Sequence, residues 1–219
     1  MIPLRDSTAG NSLPLITILI IITNFYIFIN QIGLDFEYME RIFYIFGLVP
    51  ANFTQGISDL GYIPFLTSMF LHGSWMHIIA NMWILWLFGD NVEDRMGKLR
   101  FLFFYMMCGT IAGLTHCLMY PQSTIPVVGA SGAVAGVMGA YFLMFKHARV
   151  LTYFPPFFLI NISAWLYLGF WILSQLYAGT VDVFAGSPGN IAFWSHVGGF
   201  VAGMIFYRFF IPSGKTVVD

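Results

Sequence analysis

Five stretches of this chain, 7–34, 60–89, 101–145, 150–181 and 183–207, contain no aspartate, glutamate, lysine or arginine. That segregation of charge is the tightest constraint on what the chain can become. A helix crossing the hydrocarbon core of a bilayer needs about 20 apolar residues, and four of the stretches fit one such helix each. The stretch 101–145 is 45 residues long, holds Pro121-Gln122-Ser123-Thr124 and Pro126 near its middle, and fits two. The expectation is six helices, at about 13–30, 70–89, 99–118, 131–146, 155–177 and 194–211. Composition points the same way: the chain is 58% hydrophobic and 9% charged, whereas a soluble domain carries about 25% charged residues. Residues 1–219 read as one all-α membrane domain. The segment 31–69 reads as a structured outer-face loop with short interfacial helices.

Lysine and arginine set the orientation. With six spans, Arg5, Arg95, Lys98, Arg100, Lys146, Arg149, Arg208 and Lys215 fall on one side and only Arg41 on the other. Positive charge accumulates on the cytoplasmic side, so both termini are expected there, in a bacterial-type plasma membrane. The first apolar run lacks a basic leader and an Ala-x-Ala site, and is read as a retained helix rather than a cleaved signal. The net charge of −1 gives no attraction to nucleic acid. Cys108 and Cys117 lie nine apart on one expected helix, too distant to bond each other, and their spacing is not that of a metal site.

The topology gives the polar residues a depth. The second, fourth and sixth helices run inward from the outer side. Ser131 lies 15 residues from Lys146, His196 lies 12 from Arg208, and His77 lies 13 from Asp90. At helical rise these are about 22, 18 and 20 Å, against a hydrocarbon core of about 30 Å. All three therefore sit below the outer surface and above the midplane. The fourth helix is too short to span. Residues 125–130 before it would be non-helical backbone below the surface, which is tolerated only inside protein or along a wet cavity. A polar cavity open to the outside is implied above Ser131.

The residue types at that level permit acyl-transfer chemistry. A serine hydroxyl needs a base, and the imidazole of His196 has the right intrinsic acidity near neutral pH. Gly132/Gly136 and Gly199/Gly203 are small-xxx-small pairs that let helices approach closely, bringing a short serine within reach of a histidine on the next helix. His77 and Asn81 share a helix face at i, i+4. With the Ser131 N–H at a helix N-terminus they could hold an oxyanion. Asp182 is the nearest acid to His196 and is judged badly placed, so a Ser–His dyad is expected. Each motif alone has a plainer explanation in helix packing or interhelical hydrogen bonding. His72 reads as interfacial, His147 as a solvated inner-loop residue, and His116 takes no role.

The set as a whole resembles the rhomboid family of intramembrane serine proteases. The matching segments are His72-Gly-Ser-Trp-Met-His77-Ile-Ile-Ala-Asn81, Gly129-Ala-Ser131-Gly132 and Ser195-His196-Val-Gly-Gly199-Phe. Phe88 to Gly97 also looks like the family's and is taken as a turn anchored by polar bonds. The resemblance implies a six-helix rhomboid bundle, Ser131 as nucleophile and His196 as general base. It implies Asn81, His77 and the Ser131 N–H as oxyanion donors, and Gly129 shaping the approach to the serine. It also implies single-span membrane proteins as substrates, and no metal or cofactor. Ala135 stands where many members carry an aromatic stacked on the catalytic histidine, so His196 must be oriented by other groups. Ile63-Pro64 stands where many carry Trp-Arg.

The function expected is hydrolysis of a peptide bond in a substrate helix that enters laterally between the second and fifth helices. The fifth helix, free of ionisable residues, suits a gate, and the loop 178–193, with Gly179, Gly186, Pro188 and Gly189, suits a mobile cap. The alternative is a rhomboid-like pseudoprotease that binds transmembrane helices without cleaving them. A small transporter or channel is disfavoured, because no repeat is visible and the polar groups do not run through the membrane.

Overall fold

Glycine contacts decide which helices meet in this protein. A computed structural model describes residues 1–8, 10, 12–156, 158–186 and 191–213. In chain order the elements are β1 (Ile2–Asp6), α1 (Leu15–Ile32), α2 (Phe36–Phe46), α3 (Pro50–Thr54), α4 (Pro64–Thr67), α5 (Trp75–Met96), α6 (Lys98–Met119), α7 (Ser131–Met144), β2 (Arg149–Phe154), β3 (Phe158–Ser163), α8 (Ala164–Phe184) and α9 (Phe193–Phe210). The chain is mostly helical, as an all-α membrane protein should be. Among the described residues two helices, α1 and α6, are long and apolar enough to cross a bilayer by length and composition.

The short helix α7 lies at the centre, with every residue from Gly132 to Tyr141 buried. It packs against α9, α6 and α5. A Cβ on Gly199 would strike the carbonyl oxygen of Gly132, and one on Gly203 that of Gly136. A Cβ on Gly132 would lie 2.6 Å from Ala112 Cβ of α6 and 2.7 Å from Ser195 Oγ of α9. α7 and α9 are therefore in backbone contact, with the small side chains of α6 packed against α7, an approach that only glycine permits. Cys108 and Cys117 are buried and free.

The helix expected at 70–89 is corrected to α5, Trp75–Met96. It starts late because Ser74 caps it, accepting a hydrogen bond from His77 N at 3.2 Å. It ends late because the expected turn at Phe88–Gly97 is two more helical turns. The chain reverses only at Gly97, whose φ is +82°. Glu93, buried in those turns, is satisfied by the start of α1: its carboxylate accepts from Ile16 N at 2.9 Å, Thr17 N at 2.8 Å and Thr17 Oγ1 at 2.8 Å. The two amides among these donors are ones that a helix N-terminus leaves without internal partners.

The helix expected at 155–177 is corrected as well. The strands β2 and β3 pair antiparallel from Arg149↔Ser163 to Phe154↔Phe158, and α8 begins only at Ala164. Val150, Thr152, Ile160 and Ile162 alternate along these strands, and β-branched residues favour an extended backbone. The N-terminal strand β1 pairs antiparallel with β2, giving the sheet order β1-β2-β3. It is also tied to α5, where Trp83 Nε1 donates to Pro3 O at 2.7 Å and Asn91 Nδ2 to Asp6 Oδ2 at 3.0 Å. The sheet thus brings Arg5 to the same end of the bundle as Arg149. Lys215 lies outside the described residues. Because α8 runs on to Phe184 and α9 starts at Phe193, the expected loop 178–193 shrinks to the residues between them, and Gly179 belongs to α8. Pro188 and Gly189 lie outside the described residues.

Replacing Glu93 by alanine should lower stability by about 3 kcal/mol, the size of lost charge-assisted bonds to buried donors. Glu93→Gln, which keeps an acceptor, should cost less. Thermal unfolding in detergent micelles measures both.

Candidate functional site

A cavity of about 550 Å³ opens where α5, α7 and α9 converge, and His77, Asn81, Ser131 and His196 all line it. Each is set by its local sequence. Ser131 is the first residue of α7, so its N–H belongs to the turn whose amides have no intrahelical acceptor. His77 is in the first turn of α5, fixed there by the Ser74 cap, and Asn81 follows one turn later. His196 is in the first turn of α9, its N–H donating to Ala192 O at 3.2 Å. Asn81 is buried, and its Nδ2 has no hydrogen-bond partner among the described residues. A buried donor without an acceptor is unusual, and this one belongs to a residue that lines the space above Ser131. No hydrogen bond joins Ser131 to His196 in the described structure.

The far wall is the non-helical segment before α7. Pro126, Val127 and Val128 line the cavity, and Val127 is bonded both ways to Leu48, at 3.0 and 2.8 Å. Gly129 follows with φ +126°, a conformation L side chains avoid. A Cβ there would also lie 2.6 Å from His77 Nε2. Its N–H donates to Ser68 O at 2.9 Å. A glycine here lets the chain pass close against the His77 ring. Gly132 and Gly199 supply the backbone contact beneath.

His72 departs from expectation: it is 1% exposed, not interfacial. Its backbone is held by Gln31 of α1, whose Nε2 donates to His72 O and whose Oε1 accepts from His72 N, both at 3.3 Å. Its ring meets His77 edge to face at 5.1 Å, and Ala130 N lies 3.5 Å from its Nε2. His72 thus props both His77 and the bend into Ser131. His116 is buried beside Tyr120. Asp182 accepts from Tyr120 OH at 2.6 Å. His147 is exposed.

Sequence reading missed Gln175 and Trp171 of α8. Gln175 Oε1 lies 2.8 Å from His196 Nδ1, and the Trp171 ring lies 5.8 Å from the imidazole at 36°. The available signal was a polar residue one helical turn after a tryptophan in an otherwise apolar run. A search for ionisable groups passes over a neutral amide.

The Rhomboid domain family model matches residues 60–213, from before α4 to the end of α9. The chain belongs to the rhomboid family. Relatives of this rhomboid include Rhomboid protein 1, mitochondrial, of Saccharomyces cerevisiae, 35% identical over 99 residues, 43% of this chain and 28% of the yeast protein. Presenilin-associated rhomboid-like protein, mitochondrial, of Bos taurus is 32% identical over 97 residues, 43% of this chain and 26% of the bovine one. Putative rhomboid protease YdcA of Bacillus subtilis is 26% identical over 117 residues, 48% of this chain and 58% of that one. The chain thus spans little more than a quarter of the two mitochondrial relatives. Family membership makes it an integral membrane protein; the relatives' names do not select a bacterial plasma membrane.

Gly129→Ala adds a strained φ and a clash with His77, and should destabilise the rhomboid by about 2 kcal/mol or more. Gly73→Ala, where a Cβ meets nothing within 4 Å, should stay within about 0.5 kcal/mol of wild type. The pair is read from melting temperatures in the same detergent.

Proposed function

We propose that this rhomboid is an intramembrane serine endopeptidase that hydrolyses peptide bonds in or near the transmembrane segments of single-span membrane proteins. The observation that carries the reading is the meeting of Ser131, His196, His77 and Asn81, from three helices, at one cavity. In this reading the six helices α1, α5, α6, α7, α8 and α9 cross the bilayer. The cavity opens outward, and both termini lie with the sheet on the cytoplasmic side of a bacterial-type plasma membrane.

Ser131 Oγ attacks the scissile carbonyl carbon while His196 Nε2 takes its proton. The new oxyanion accepts from Asn81 Nδ2, His77 and the Ser131 N–H, donors fixed before charge develops. The tetrahedral species then breaks its C–N bond, and His196 returns the proton to the leaving amine. Water, activated by the same histidine, clears the acyl-enzyme and restores the Ser131 hydroxyl. The residues supply nucleophile, base and oxyanion donors without any further group. A substrate helix enters laterally between α5 and α8, for α8 is packed on α9 and α7 and leaves its outer flank to lipid.

The test is cleavage of a tagged single-span substrate in proteoliposomes. Wild type should give product and Ser131→Ala none, with a fluorophosphonate labelling Ser131 in wild type only. Asn81→Ala should lower kcat by about 100-fold, the usual worth of one oxyanion donor. Capture of the substrate helix with neither cleavage nor labelling would instead establish a helix-binding pseudoprotease.

A further inference from the structure

A histidine acts as a base through one nitrogen only when its other nitrogen carries the proton, and something must hold that proton in place. Around His196 Nδ1 the structure offers an acceptor that is itself oriented. Ser174 Oγ lies 2.6 Å from Trp171 O, to which it donates its hydroxyl proton. Its lone pairs then face Gln175 Nε2 at 3.2 Å. That donor fixes the Gln175 amide with its nitrogen toward Ser174 and its oxygen toward His196 Nδ1, at 2.8 Å. Every link is on α8. Trp171, four residues before Gln175 and so on the same helix face, places its ring beside the imidazole. One turn beyond Gln175, α8 is drawn against α9: Trp194 Nε1 donates to Gly179 O at 3.1 Å, and a Cβ on Gly179 would press on Phe193 and Trp194 at 3.1 Å.

We infer that Gln175 is the positioning residue for His196. The relay Trp171 O–Ser174–Gln175 draws the imidazole proton onto Nδ1 and leaves the Nε2 lone pair for Ser131. This rests on the Ser131–His196 reading above. It makes the base depend on α8 being seated on α9, since the acceptor and its relay belong to one helix and the histidine to the other. His77 of α5 and His116 of α6 are the other titratable groups that act on His196, and neither is bonded to its Nδ1.

Two readouts test it on the full chain. In proteoliposomes, Gln175→Leu, close in size but unable to accept, should lower kcat by about 100-fold, the lower range for losing an effective general base, with KM within about two-fold. Gln175→Glu keeps an acceptor at Nδ1 in either protonation state and should recover most of that loss. Independently of any activity, ¹⁵N spectra of histidine-labelled protein in detergent, assigned with His196→Ala, should show the Nδ1–H tautomer at His196 in wild type. In Gln175→Leu that tautomer should be lost. An unchanged tautomer, or an unchanged kcat, in a folded Gln175→Leu protein overturns the inference. If wild type gives no Ser131-dependent cleavage, the protease reading fails, and the tautomer of His196 alone decides the role of Gln175.

Discussion

The backbone contact between α7 and α9 is the constraint from which the remaining geometry follows. Gly132 and Gly136 face Gly199 and Gly203 so closely that no side chain fits between them. Dispersion between packed backbones, and not burial from water, is what holds helices together in lipid. The closeness has a chemical result. Ser131 has one of the shortest polar side chains available, and it stands at the top of the helix that makes this contact. Had α7 and α9 been spaced by leucines, at the 8–10 Å usual for packed helices, Ser131 and His196 would not line one small cavity. The glycines that look like mere packing are a precondition for the site.

A second layer holds the rim. The segment that carries α2, α3 and α4 braces the chain that leads into Ser131. Leu48 pairs with Val127, Ser68 accepts from Gly129, and Gln31 of α1 holds His72 by its backbone. The non-helical backbone before α7 is thus tied to protein at Val127 and Gly129. The bend at Gly129 is therefore held by several neighbours, and the first residue of α7 is presented in one orientation.

Much of this was legible in the sequence, for identifiable reasons. Charge-free runs pointed to the long helices, because the cost of placing charge in hydrocarbon is large. The grouping of Ser131, His77 and His196 followed from counting residues to the nearest inner charge, and Asn81 joined them by sharing a helix face with His77. The strand pair β2 and β3 was not legible by that method. Its residues are as apolar as a span, and the alternation of Val150, Thr152, Ile160 and Ile162 is hidden in a run that hydropathy alone cannot distinguish from a helix. The extension of α5 past Asp90 was missed for the opposite reason. Asn91 and Glu93 look like a loop until their partners, Asp6 and the α1 N-terminus, are seen to come from distant parts of the chain. Gln175 and His72 were passed over because one carries no charge and the other looked like a surface residue.

The small sheet has a mechanical meaning. β1 is fastened to α5 through Trp83 and Asn91, while β2 and β3 run directly into the first residue of α8. The helices α5 and α8 are thereby joined at one end, across strands. A pair of rods tied at the foot cannot slide apart. If a substrate helix parts them in the proposed reaction, the parting is least at the sheet and grows toward the level of Ser131 and His77. The strands at one end of the molecule are thus the fulcrum for whatever happens at the other.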